Sequence, residues 1–206
     1  MTPYLTLKAP AEHETEVKRS RFICAIAPAE SVEAATAFIA ERRRLHPGAT
    51  HNCTAYVIGQ RLQKGDDDGE PGGTAGTPMV QALVGRGFND VVAVVTRYFG
   101  GVLLGAGGLV RAYGSAVTET LDRVEPVRMV PARLVRVSVG HELAGRVENA
   151  LRASAYPVRE AGYGAEASFA VAVGQDQVDV FTAWVATLTA GRAAVAVEAE
   201  VHLPEA

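Results

Sequence analysis

The pattern of apolar and polar positions divides the chain into two stretches with different rhythms. In the first, residues 20–27 (SRFICAIA) read as a strand. So does HNCTAYVIG from His51, which alternates Cys53, Ala55 and Val57 against Asn52, Thr54 and Tyr56. Residues 14–17 read as another strand, and residues 62–64 as one that pairs with the His51 strand. Between them, Ser31 is expected to cap a helix running to Arg44. Glu33 stands early in that helix and Arg42, Arg43 and Arg44 stand at its end, as the helix dipole prefers. Thr77 reads as the N-cap, with Pro78 at the first position, of a short helix reaching about Val84. Residues 90–96 contain the longest apolar run, VVAVV, and fit a buried strand. Leu109, Tyr113, Ala116, Val117 and Leu121 then recur at helical spacing, predicting a long amphipathic helix that ends near Arg123.

The second stretch is simpler. ARLVRVSVG (132–140) alternates as a strand. Residues 141–152 form a helix pattern with Leu143, Val147 and Leu151 on one face. YPVREAGY (156–163) and EASFAVAVG (166–174) read as two strands. Residues 176–190 carry Phe181, Val185 and Leu188 at helical spacing and are stopped by Gly191, and AAVAVEAEVHL (193–203) is a last strand. The order βαββαβ is that of a ferredoxin-like unit. The expected fold class is α+β with two domains, residues 1–128 and 132–206. RVEPVRMVPARL (123–134), with Pro126 and Pro131, reads as the joint between them.

Composition supports that division. Of the 21 glycines, 13 lie between Gly65 and Gly114. Residues 1–130 are charge-neutral, whereas residues 131–206 hold six arginines, no lysine and nine acids, which accounts for the net charge of −3. No global field favours nucleic acid or a membrane. No run of about 18 apolar residues occurs, so nothing reads as spanning a membrane. The first residues lack the apolar core of a signal peptide. Cys24 and Cys53, the two cysteines, sit in apolar strands and are expected to stay reduced in a cytoplasmic protein.

Candidate chemistry gathers in two glycine-rich segments. YFGGVLLGAGGLVRAYGSA (98–116) is a strand, a turn and a helix start. It is not a P-loop, because Ala106 and Gly107 stand where Lys and Ser/Thr are needed, and it is not a dinucleotide loop, because Val110 replaces the last glycine. Two readings remain. Free backbone N–H groups at the helix start, flanked by Arg97 and Arg111, could hold an anion or RNA phosphate. Alternatively, Gly100, Gly101, Gly105, Gly107 and Gly108 serve turn geometry and close packing. In DDDGEPGGTAGTP (66–78), Asp68 and Glu70 could act as an acid/base pair, with Thr74 and Thr77 beside them, or the loop is a solvated turn. The order of an EF-hand is missing. His51 and Cys53 share a strand face but sit about 6–7 Å apart along it, too far for a nucleophile and its base. The other histidines show no metal-ligand spacing, and neither metal nor cofactor is expected.

SRF at Ser20, HNCTAYVIG at His51, DDGEPGGTAGTP at Asp67 and VAVVTRYFGGVLLGAGGLVRAYGSA at Val92 together resemble the IMPACT/YigZ family over residues 15–122. The tail resembles the small C-terminal domain of the bacterial branch. The chain has GGTAGTP where the family pattern reads SGTAGKP, which weakens a phosphate role for that loop. The resemblance implies an N-terminal βαβ domain like domain IV of elongation factor G and a ribosomal small-subunit protein, and a C-terminal domain like that factor's domain V. That fold likeness points to an RNA- or ribosome-linked role, and with no recognisable catalytic set the favoured reading is a non-enzymatic regulator that binds RNA, the ribosome or a translation factor through the first domain. The related eukaryotic domain regulates translation by competing for an activator of a stress-response kinase. The alternative is an enzyme or small-ligand binder with a pocket between the two glycine-rich loops. Because both loops precede helix N-termini, at Pro78 and near Leu109, they are expected to meet at one edge of the first domain, near Tyr56 or Arg97, with His51 in support.

Overall fold

The computed structural model describes residues 2–205 and divides into two compact units, residues 4–127 and residues 128–205, the latter joined by residues 2 and 3. In the first unit, β2 (Ala11–Val17), β3 (Ser20–Pro28), β4 (His51–Ile58), β5 (Leu62–Asp66) and β6 (Val91–Tyr98) form one sheet in the order β2-β3-β6-β4-β5. All its pairings are antiparallel. A short strand, β1 (Tyr4–Leu7), exchanges backbone hydrogen bonds with Gly87 and Asn89 through Leu5.

Helix α1 (Val32–Leu45) covers one face of this sheet, where Ala35, Phe38 and Ile39 pack on Ala27, Tyr56, Ile58 and Val92. Helices α2 (Gly76–Gly85) and α3 (Ala106–Leu121) cover the other. There Met79, Leu83, Leu109, Tyr113 and Val117 meet Phe22, Cys24, Ile26, Cys53, Val91, Ala93 and Val95. Because β6 is covered on both faces, its unbroken apolar run is what burial requires. Ser31 caps α1 as expected, its Oγ accepting from the Ala34 N–H at 3.2 Å.

Helix α2 departs from expectation. Its N-cap is Ala75, not Thr77, which lies exposed inside the helix. The capping acceptor comes from outside. The carboxylate of Asp67 accepts from the N–H groups of Gly73, Ala75 and Gly76 at 2.7, 2.9 and 2.8 Å. This arrangement needs the helix start to lie against β5. Gly65 and Gly76 make that possible, since a Cβ on Gly65 would sit 2.6 Å from the carbonyl carbon of Gly76.

The second unit contains β7 (Pro126–Val139), α4 (His141–Arg152), β8 (Val158–Tyr163), β9 (Ala167–Gly174), α5 (Val178–Thr189) and β10 (Ala194–Pro204). The sheet order β10-β7-β9-β8, with antiparallel pairing throughout, is that of the βαββαβ unit. The core lies between this sheet and the two helices, around Val137, Val147, Leu151, Phe169, Val171, Phe181 and Val185. The fold class is thus the α+β, two-part architecture read from the sequence. The units divide between Val127 and Arg128, within the segment read as the joint, but that segment is not a loop, because Pro126 and Pro131 both lie within the continuous strand β7. Pro126 is its first residue, and Pro131 falls just before pairing with β9 begins at Ala132, so neither costs a ladder bond to β9. Among the described residues no helix is long and apolar enough to cross a membrane.

Candidate functional site

The two glycine-rich segments meet. A cavity of about 440 Å³ in the first unit is lined by Gly69, Glu70 and Pro71 from one loop and by Leu103, Leu104, Gly105 and Ala106 from the other. Thr50, His51, Arg97, Phe99 and Leu109 complete it. Three local features position these groups. Strands β4 and β6 pair His51 opposite Arg97. The Asp67 cap draws the first loop over the end of the sheet. Gly105, at φ 74°, takes a left-handed conformation that lets the chain turn from the β6 loop directly into α3.

The floor of the cavity is a buried charge cluster. Arg97, only 5% exposed, donates from Nη1 to Oε1 of Glu70 at 2.6 Å. The same carboxylate oxygen accepts from the hydroxyl of Tyr113 at 2.7 Å. Arg97 also donates from Nη2 to Ser20 Oγ at 3.3 Å, while its Nε has no hydrogen-bond partner. Its guanidinium lies 5.4 Å from the ring centre of Phe22 and 5.5 Å from that of Phe99, a cation–π contact with each. His51 Nδ1 is 2.8 Å from the carbonyl oxygen of Asp68 and therefore donates to it, which leaves Nε2, 3.8 Å from Glu70 Oε2, without its proton in the neutral ring. Burial, followed by the nearby Cys53 and Glu70, pushes the Tyr113 hydroxyl pKa far up, so that it remains a donor.

The remaining expected residues separate into distinct places. Asp68 does not reach the cavity. Its carboxylate accepts from the Asn52 N–H at 2.6 Å and meets Arg43 at 3.4 Å, so it is a loop fastener. An Asp68–Glu70 acid/base pair therefore does not form at the cavity. Thr74 is buried and donates to the Pro71 carbonyl at 2.6 Å. Thr77 lies on the exposed side of α2, outside the cavity. Tyr56 packs beneath α1, on the opposite face of the sheet. Arg111 and Gly108 line a separate cavity on the other side of Leu104. Of the five glycines, Gly105 alone lines the first cavity. Gly100 and Gly101 form the turn before it, and Gly107 borders only Arg111.

Tyr113, Phe99, Leu103 and Leu104 are site residues that the sequence reading passed over. Tyr113 reads as one more core position on the α3 stripe. The available signal is its hydroxyl, a polar group on a face that must be buried and that therefore needs a partner. Phe99 and Leu103 are large apolar side chains in a glycine-rich loop, and both remain exposed, Leu103 by 81%.

Residues 18–121 match the family model of the Impact N-terminal domain, and residues 137–192 match a domain of unknown function, DUF1949. The chain is 42% identical over 191 residues to the IMPACT family member YvyE of Bacillus subtilis, covering 92% of this chain and 88% of that protein. It is 36% identical over 196 residues to an IMPACT family member of Haemophilus influenzae (93% and 95% covered) and 47% identical over 135 residues to YigZ of Escherichia coli (64% and 66%). A solved structure described as that of a hypothetical protein superposes with a TM-score of 0.81 at 35% identity, covering 97% of this chain and 98% of the other.

Proposed function

The chain belongs to the IMPACT family, and we propose that it is a non-enzymatic cytoplasmic protein, linked to translation, whose first unit binds a nucleotide of RNA in the cavity beside Glu70 and Arg97. The observation that carries this reading is the convergence of Phe99, 46% exposed, and the uncapped N-terminus of α3 on one cavity. The first N–H groups of a helix have no partner within it, and the aligned peptide dipoles give that end about half a positive charge. No side chain caps Gly105 and no acid stands in the first turn of α3, so an anionic group meets no competitor there. Phe99 offers a face on which a base stacks. Since Glu70 already neutralises Arg97, the attraction for phosphate comes from the helix terminus, not from a free guanidinium. No activated nucleophile lines the cavity. The nearby Cys53 thiol donates to the Asp67 carbonyl, and burial pushes its pKa up to about 12.

A free small anion-bearing ligand is the second reading, favoured by the polar floor that His51, Glu70 and Arg97 give the cavity. Filter binding of single-stranded RNA, with the Phe99→Ala variant beside wild type, tests the first reading. Loss of one stacked base weakens binding by roughly 1–3 kcal/mol. RNA binding that is absent, or unaffected by the substitution, rejects it.

A further inference from the structure

Leu104 separates the first cavity from a second one of about 290 Å³, lined by Val17, Lys18, Gly108, Arg111, Ala112, Ser115 and Glu119. We propose that this second cavity receives the neighbouring phosphate of the same ligand, so that the ligand is a single-stranded phosphodiester chain and not a mononucleotide. The inference rests on the reading of the first cavity as a nucleotide site.

Three observations lead to it. Lys18 and Arg111 face one concavity from different elements, the β2–β3 turn and the first turns of α3. Among the described residues, neither has an ion-pair partner, a property they share with several other cations of this unit, but these two line the same concavity. The one carboxylate in the lining, Glu119, lies 3.8 Å from His13 Nε2. Finally, Leu104 lines both cavities, so a chain leaving the Phe99 side passes the uncapped start of α3 before it meets the two cations. A strand with phosphates on either side of a stacked base matches this order of groups: aromatic face, backbone N–H groups, then paired cations.

The turn itself places Lys18. Lys18 and Arg19 adopt φ 48° and 67°, left-handed values that glycine or asparagine takes at less cost. The backbone of this turn is pressed against Gly100. The backbone that carries Lys18 is thereby fixed beside the cavity that the residue lines.

The experiment compares wild type with the double variant Lys18→Asn, Arg111→Gln, in which asparagine keeps the left-handed turn and glutamine keeps the helix. Two probes are titrated: 5′-phosphorylated mononucleotides of mixed base and 5′-phosphorylated tetranucleotides of random sequence. The expected result is that the tetranucleotide binds wild type at least about tenfold tighter than the mononucleotide, as linked contacts require. The double variant loses that gain while its mononucleotide affinity is unchanged, and each lost contact lowers the salt slope by about 0.7. A tetranucleotide that binds no tighter than the mononucleotide, or a gain that survives the double substitution, overturns the second site and leaves the first standing. If neither probe binds wild type, the reading of the first cavity falls and this inference with it.

Discussion

Glu70 and Arg97 form an ion pair at 2.6 Å with side-chain exposures of only 3% and 6%, at the floor of the cavity between the two glycine-rich loops. Two residues 27 positions apart are thus locked together, with Tyr113 donating to the same carboxylate. Burying both charges gains little over an apolar pair of similar shape, but breaking the pair on one side strands a charge without solvent. Arg97→Ala and Glu70→Ala should each lower unfolding free energy by about 3–5 kcal/mol. The double variant Arg97→Met, Glu70→Leu should recover most of that loss. Urea denaturation of the three variants measures it, and single variants as stable as wild type would show the pair to be solvated.

Asp67 supplies the acid-sensitive element. Burial works to raise its pKa, but hydrogen bonds from the Gly73, Gly76 and Ala75 N–H groups together outweigh it and hold the carboxyl below its ordinary value. A folded-state pKa below the unfolded value of about 3.9 means that the stabilisation is complete above that value. It is lost as pH falls through the lower folded pKa. Asp67→Asn should therefore destabilise the protein at pH 7 by about 1–2 kcal/mol, the scale of a lost helix cap, and the difference from wild type should shrink below about pH 4. Thermal melts from pH 7 down to 3 check both parts. A difference that stays constant over that range would contradict the cap.

Much of this was legible from residue patterns, and the failures have a common cause. The helix that Ser31 caps and the buried strand at Val91–Tyr98 were readable because the signal and its consequence are adjacent in the chain. The second unit's βαββαβ order followed from periodicity alone. Thr77 does not cap α2, because the acceptor, Asp67, stands eight residues before Ala75, and only the fold brings it there. Pro126 and Pro131 mark the place where the two units divide, between Val127 and Arg128, yet they do not interrupt the strand. A strand tolerates proline at its first residue and where a ladder bond is not required, so β7 runs straight through both. For the candidate site, the sequence identified the two loops and Arg97, but not the partner that occupies Arg97. Asp68 and Glu70 are equivalent on paper. The β4 register and the loop turn send Asp68 to the Asn52 N–H and Glu70 to Arg97.

Both thiols should be inert in the folded protein. Burial is the largest influence on each and raises the pKa of Cys24 and of Cys53 to about 12, while Cys53 also donates to the Asp67 carbonyl. A thiolate-directed aromatic disulfide reagent at pH 8 should label neither residue within the lifetime of the fold and both in denaturant. Labelling should track global unfolding across a urea series. Rapid reaction of either cysteine in native buffer would mean that the strands open locally.

Two glycines in the same segment should respond to alanine in opposite ways. Gly100 follows β6, and its Cα faces the β2–β3 turn so closely that an added Cβ would lie 1.9 Å from the Arg19 carbonyl oxygen and 2.6 Å from the Ser20 nitrogen. Neither atom belongs to a flexible side chain, so the turn itself must move. That movement would also pull Ser20 away from Gly100, whose N–H donates to Ser20 Oγ at 3.2 Å, and from Arg97. Gly107 lies in the first turn of α3 at negative φ, and an added Cβ would meet only the Arg111 side chain at 3.7 Å. Alanine there gains helix propensity of up to about 1 kcal/mol. Gly100→Ala should thus lower the melting temperature and loosen the Arg97 cluster, and Gly107→Ala should raise it. Scanning calorimetry of the two variants gives the answer. A rise for both would mean that the turn adapts to a side chain at Gly100, and a fall for Gly107→Ala would mean that the start of α3 is not the ordinary helical turn described here.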